Sequence, residues 1–226
     1  MKRFLLRQFK GDGWVLYVDG DEFFDYPYSE NISLNTFLTY LNEKGCSKVL
    51  LQMLDLFSKT YPSPIEEKSL FLKYPYYDLS NLRRKKIDAE KNIEYFYGGI
   101  HDTFFSLSDI KLSKTPLLKP NSLIMPFWIS SHSIKGGTFA DISGVLYHFK
   151  FTDGLYKKAK RNVLEGNYYK NSKEYRKYLE KLEEDSTFSP YSKNSHKLGK
   201  TNDLVNSKFI VVSKDYQLIL KKNNGN

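Results

Sequence analysis

WVLYVDGDEFF, residues Trp14 to Phe24, is the stretch on which a reading of this chain turns. Trp14 to Val18 predicts a short strand buried on both faces, as in a mostly parallel sheet. Three carboxylates follow within four positions: Asp19, Asp21 and Glu22. Side chains two apart on an extended chain point the same way, so Asp19 and Asp21 can converge on one hard cation. Gly20 between them lets the backbone turn tightly. Ligands of open α/β sheets sit beyond the carboxyl ends of the strands, where these acids fall. The same residues also suit a solvated turn that caps a helix. The apolar flanks (Val15, Leu16 and Val18 before, Phe23 and Phe24 after) argue for the metal site. Clustered carboxylates in an apolar setting oppose one another's charge unless a cation joins them.

Around this stretch the chain is 226 residues and 26.5 kDa, enough for one domain with a sizeable core. Cys46 is the single cysteine, which excludes an intrachain disulfide and points to a reducing compartment, expected to be the cytoplasm. Neither a signal peptide nor an apolar run long enough to cross a bilayer stands out. The formal charge of +9 is uneven: residues 157–226 hold 16 Lys and Arg against 8 Asp and Glu. That excess suits an anionic substrate, an acidic membrane surface or simply a solvated face. No nucleic-acid motif accompanies it, so a basic nucleic-acid-binding module is the weaker alternative and no nucleic-acid partner is expected.

Outward from the acids, MKRFLLRQFK (Met1–Lys10) predicts an amphipathic helix broken by Gly11-Asp12-Gly13. Downstream, Ser33 caps a helix from Leu34 to about Lys44, with Gly45 as its stop. Leu34, Phe37, Leu38 and Leu41 share its buried face. KVLLQMLDLF (48–57) reads as a strand, with Asp55 a polar cap or edge residue rather than a catalyst. Residues 58–94 read as an irregular stretch, punctuated by Pro62, Pro64 and Pro75 and carrying the basic run RRKK at 83–86. YFYGGIHDTFF places His101 and Asp102 on a turn that opens a short helix, Asp102 being a helix cap or a catalytic acid. Lys111–Leu118 and Ser122–Trp128 predict a hairpin around Pro120-Asn121, and His132 follows in a polar loop. ISGVLYHFKF (142–151) predicts a strand on which His148 and Lys150 face one side. Either this is an alternating strand with a satisfied histidine, or it is part of a site. Two amphipathic helices follow, from about Asp153 to Gly166 and over Ser172–Glu184. Beyond Asp185 only DLVNSKFIVV and YQLIL suggest short elements, and KKNNGN a disordered end.

The run Val-Asp-Gly-Asp-Glu-Phe after a Trp-containing strand resembles the Asp-x-Asp segment of glycosyltransferase family 2 proteins. GGIHDTFF, KTPLL, SSHS and GVLYHFKF look like later stretches of the same branch, in the same order, over roughly Gly13 to Ile210. The resemblance implies an α/β, partial GT-A (Rossmann-like) mixed sheet with flanking helices. Residues 1–152 would form the metal and acceptor side, and residues 153–226 a basic helical extension packed on it. It implies Mn²⁺ or Mg²⁺ held by Asp19, Asp21 and His148, with Glu22, His132 and Lys150 on the substrate side. Lys150 would face the diphosphate. Asp102 would take the acceptor proton, since family members often carry an acid there, although arginine is commoner where His101 stands. The partners implied are a nucleotide-diphosphate sugar and a glycan or lipid-linked acceptor, with membrane contact at the inner face through the basic C-terminal region. Residues 58–94 would then form a flap near the acceptor, or a plain surface loop.

Family members carry several strand–helix units ahead of the Asp-x-Asp, and these have no counterpart here. The expectation is therefore a C-terminal half to two-thirds of such an enzyme: a partner-dependent or inactive remnant that exposes a sheet edge and self-associates.

Overall fold

The computed structural model describes residues 13–66, 68–120, 127–130, 132–166 and 169–223. In chain order these hold β1 (Val15–Leu16), β2 (Glu22–Asp25), α1 (Leu34–Glu43), β3 (Lys48–Phe57), α2 (Leu70–Lys73), β4 (Tyr76–Tyr77), β5 (Leu82–Asp88) and β6 (Ile93–Gly98). There follow α3 (Ile100–Phe105), β7 (Ser113–Leu118), β8 (Phe127–Ser130), β9 (Ser133–Lys135), β10 (Phe139–Phe151), α4 (Leu155–Glu165), α5 (Tyr169–Glu184), β11 (His196–Lys197), α6 (Thr201–Asn206) and α7 (Lys214–Asn223).

All ten residues of β3 are buried, as a continuous apolar run covered on both faces must be. It lies at the centre of a mixed, curled sheet of order β1-β7-β3-β10-β2, with the short β4 and β11 beside it. β10 runs parallel to β3, whereas β7 is antiparallel to it. Both ends of the path, β1 on β7 and β2 on β10, are also antiparallel. Helix α1 begins as its sequence predicts: Ser33 Oγ accepts from the Thr36 N–H at 3.1 Å, and Gly45 takes φ 62° just beyond the end. Phe37 and Leu41 are buried, while Leu34 stays exposed.

Two cores result. One packs β3 and β10 against Phe37 and Leu41 of α1 and against Leu204, Phe209, Ile210 and Tyr216. The other surrounds Phe57 and Phe151 with Phe105 of α3, Leu155 and Ala159 of α4, and Tyr175, Tyr178 and Leu182 of α5. Residues beyond 153 therefore contribute to both. No helix among the described residues is long and apolar enough to cross a membrane.

Several expectations are corrected. The strand at Trp14–Val18 shrinks to two residues, half-buried and exposed, in an antiparallel edge strand. In an antiparallel pairing one face of a strand can stay in solvent, and Leu16 is exposed there. Residues 58–94 are not one irregular loop: RRKK lies on β5, paired with β6 in a hairpin. Its four consecutive charges stay exposed, so no alternation betrays the strand. β7 pairs with β3 and β1, and β8 pairs with β9, in place of the expected β7–β8 hairpin. The helix expected over Met1–Lys10, residues 122–126 and the last three residues of the tail lie outside the described residues, whereas Lys221–Asn223 continue α7.

Gly144 on β10 lets β2 approach. A Cβ there would lie 2.7 Å from the Asp25 carbonyl oxygen and 2.7 Å from Leu51 Cδ2. Gly144→Ala is expected to cost about 2–3 kcal/mol through overpacking. For a chain of this size that lowers Tm by roughly 4–12 °C, readable by thermal unfolding.

Candidate functional site

The sheet register sets one row of side chains across three strands. Asp55 on β3 stands opposite His148 on β10, which stands opposite Glu22 on β2. The segment 17–21 carries the chain from β1 at one end of the sheet path to β2 at the other, and so delivers Asp19 and Asp21 to this row. A turn closes it, with the Glu22 N–H donating to the Asp19 carbonyl at 3.1 Å.

Asp55 is the hub. Its side chain is only 3% exposed, its Oδ1 lies 2.6 Å from His148 Nδ1, and its Oδ2 lies 2.8 Å from His101 Nε2. Burial opposes its charge, yet the two imidazoles hold the carboxyl far below the usual carboxylate range. From His101 the contacts continue into α5. His101 Nδ1 lies 2.7 Å from the Tyr178 hydroxyl, which donates to Glu174 Oε1 at 2.6 Å. Lys150 on β10 pairs with the same Glu174 oxygen. Burial works against the charge on Glu174, but Lys150 and His101 hold it down at about 2. Burial likewise opposes the Lys150 ammonium, and Glu174 raises it above the usual lysine range.

At the front of the row, His148 Nε2 lies 3.9 Å from Asp21 Oδ2, and Lys158 of α4 reaches the same oxygen at 2.9 Å. Burial disfavours the Asp21 charge, but these neighbours keep its carboxyl below the ordinary range. Asp19 turns the other way: Lys114 of β7 donates to its Oδ2 at 2.7 Å and also pairs with Glu22 Oε1. Glu22 Oε2 accepts the Asp19 N–H at 3.1 Å, so both its oxygens are engaged.

The structure thus joins Asp21 with His148 and places Asp19 and Glu22 on Lys114. Lys150 shares the face of His148, as expected, but its partner is Glu174. His132 sits in the β8–β9 turn, its Nδ1 3.3 Å from the Ser113 carbonyl oxygen. Asp102 lies in the first turn of α3 against Gly98, and none of the hydrogen bonds of the Asp55 network described above involves it. Asp55, Lys114, Lys158, Glu174 and Tyr178 were not singled out as site residues. Only an acid inside the apolar run of β3 could have signalled the first, where a cap or edge residue had been expected. Tyr178 read as part of an amphipathic stripe.

Among the described residues no cluster of three or more His, Cys, Asp or Glu side chains is gathered as for a metal ion. Asp21 and His148 offer one carboxylate and one imidazole. A divalent ion that keeps several positions for water and substrate phosphates is compatible with so small a set. Beyond the row, a cleft of about 610 Å³ opens at the carboxyl end of β3, lined in part by Lys59, Ile65, Leu72, Lys73, Tyr76 and Lys197. Compared with protein-family models, curated proteins and solved structures, the chain matches none.

Beside the depressed carboxyls of Asp55 and Asp21, two further shifted groups contribute to the acid response. Burial and the nearby Lys114 hold His132 at about 4, below its ordinary 6.5, so the folded chain resists its protonation. The unfolded chain takes up that proton first, and stability falls as pH drops from 6.5 toward 4, by roughly 3 kcal/mol at full extent. Glu174, depressed from 4.5 to about 2, adds a second loss between those values. Urea midpoints measured against pH are expected to show both limbs, and His132→Gln to flatten only the upper one.

Proposed function

We propose that the chain is a glycosyltransferase of the GT-A type that uses a nucleotide-diphosphate sugar and a divalent cation. The observation that carries this is the convergence of Asp21 Oδ2 and His148 Nε2, 3.9 Å apart, near the carboxyl ends of the parallel pair β3 and β10. Ligands of α/β sheets collect at such ends. The order of the sequence motifs supports the same reading. Asp21 and His148 would hold Mn²⁺ or Mg²⁺, and the nitrogen donor argues for Mn²⁺. The ion, when bound, supplies Lewis-acid stabilisation of charge on the leaving diphosphate.

The chain's own residues do the rest. Lys158 brings a second positive charge beside Asp21, where a diphosphate would sit. Lys114 holds Asp19 and Glu22 in place, shaping the loop from which Asp21 projects. Asp102 is the candidate acceptor of the proton from the incoming hydroxyl. The cleft along residues 58–76 offers apolar and basic walls to a glycan or lipid-linked acceptor. The outer face of α4, with Tyr156, Lys157, Lys160, Arg161 and Leu164 around a groove of about 450 Å³, suits contact with an anionic membrane from the cytoplasmic side.

A second reading has its own observation. Lys114 and Lys158 already balance the acids of the 19–22 turn, which suits a non-catalytic remnant that binds without turnover.

Titration of a nucleoside diphosphate into the full chain, with and without Mn²⁺, tests the first reading. Mn²⁺ is expected to tighten binding at least tenfold. Asp21→Asn should remove that gain, and Asp19→Asn should diminish it less because Asp19 is committed to Lys114. An Asp21→Asn chain that responds to Mn²⁺ like the parent would overturn the assignment.

A further inference from the structure

The cleft at the carboxyl end of β3 combines two chemistries, and together they select what fills it. Its volume of about 610 Å³ is that of a small-ligand site, where a largely apolar lining carries a few placed polar groups. Ile65, Phe71 and Leu72 are among its apolar residues, and Lys59, Lys73 and Lys197 are its cations. Among the described residues that line it there is no carboxylate. Ile65 and Leu72 are 45% and 61% exposed, an apolar surface left open to water. Phe71 is held edge-on by Phe23, Tyr147 and Phe149, with ring centroids 5.1 to 5.6 Å away, so this wall is already formed. The cations are not equivalent. Lys73 is committed to Asp153 at 2.6 Å, and the other oxygen of Asp153 accepts the Ser63 N–H at 2.8 Å. Lys59 faces a ring instead, its Nζ 5.4 Å from the Tyr191 centroid. Lys197 stands opposite Tyr76 in the β4–β11 pair, and Tyr76 packs edge-on against Tyr191 at 4.9 Å. Two tyrosine rings thus connect the two lysines, and neither lysine has a carboxylate partner among the described residues.

We propose that this cleft binds a phosphate-headed lipid, with the phosphate between Lys59 and Lys197 and the apolar chain laid on Ile65, Phe71 and Leu72. Charge selects the head group. Two ammonium groups without carboxylate partners match a phosphate monoester, which carries about −1.5 to −2 at pH 7, better than a carboxylate with a single charge. Lysine binds phosphate as a point charge, so no fixed fork geometry is required of these exposed side chains. The exposed leucine and isoleucine select the chain, because neither a neutral glycan nor free phosphate would cover them. The cleft is also tied to the candidate site. Asp153, which holds Lys73 and Ser63, lies just ahead of α4, the helix whose Lys158 reaches Asp21. That such a lipid carries the acceptor rests on the transferase reading; the binding itself rests on the lining of the cleft alone.

The experiment is calorimetric titration of the full chain at neutral pH, without metal or nucleotide, with dodecyl phosphate below its micelle-forming concentration. Dodecanoate, dodecyl maltoside and inorganic phosphate serve as comparison ligands. Dodecyl phosphate is expected to saturate one site and to bind about tenfold or more tightly than the other three, the difference one charge-assisted contact supplies. Lys59→Ala with Lys197→Ala, both exposed positions, should erase the preference for the phosphate head while the weaker binding of the chain survives. Leu72→Ser should weaken dodecyl phosphate and dodecyl maltoside alike. Lys173→Ala with Lys177→Ala removes the same charge from α5 and should change neither. Equal affinity for phosphate and carboxylate heads would overturn the proposal, as would unchanged binding in the Lys59 and Lys197 double variant or adsorption that does not saturate. Saturable, phosphate-selective lipid binding in a chain whose nucleotide binding ignores Mn²⁺ would sustain the cleft and defeat the transferase reading. Mn²⁺-dependent nucleotide binding without the lipid preference would do the opposite.

Discussion

One buried carboxylate constrains the rest of this structure. Asp55 sits on a strand covered on both faces, where an isolated charge would be severely penalised, and it accepts from two imidazoles drawn from different elements. Satisfying it fixes the register of β10 against β3, because His148 must stand opposite. It also fixes the approach of α3, which brings His101, and through the Tyr178 hydroxyl it ties in α5. The second apolar core forms around the same elements, so the polar hub and the packing of Phe57, Phe151 and Tyr178 are two aspects of one arrangement. Such a network rigidifies when every member is satisfied. Within it the hydrogen-bonding atoms of Asp55, His101 and Tyr178 all have partners.

What could be read from the sequence followed from local rules. Ser33, the apolar spacing after it and Gly45 delimit α1 because capping and a left-handed stop are decided within a few residues. The continuous apolar run of β3, rich in Val and Leu, reads as a buried strand, and Gly166 ends α4 as its position suggests. The failures are non-local. The partners of Asp55 lie 46 and 93 residues away, and no spacing rule links them. Lys114 stands 95 residues from Asp19, inside a stretch that reads simply as a strand. Of the candidate site, the acids and His148 were legible as a set, and Lys150 as sharing the histidine's face. That Asp19 and Asp21 would part, one to Lys114 and one to His148, was not. Convergence of alternate side chains presumes an extended chain, and a turn intervenes here.

The two lysines deserve comparison because they treat like charges differently. Lys114 is nearly buried and serves two carboxylates at once, and Asp19 and Glu22 hold its ammonium above the usual range although burial works against the charge. Lys158 is more exposed and projects from α4 onto Asp21. The first arrangement behaves as part of the framework. The second can yield, since a partly exposed ion pair contributes little to stability. The acidic turn therefore has a fixed half and an adjustable half, and the adjustable half is the one beside His148.

The crossing of the sheet by residues 17–21 has a consequence for the lineage of the molecule. β1 and β2 stand at opposite ends of a path with β7, β3 and β10 between them. Four flat strand spacings span about 19 Å, and the six steps from Leu16 to Glu22 reach about 20 Å only when fully extended. Because the segment makes a turn at Asp19–Glu22, the sheet has to curl for the ends to meet. Loops ordinarily absorb insertions, their ends being held independently of their length. This one acts as a tie rod whose length sets a curvature, so among natural variants of the chain its residues are freer to change in kind than in number.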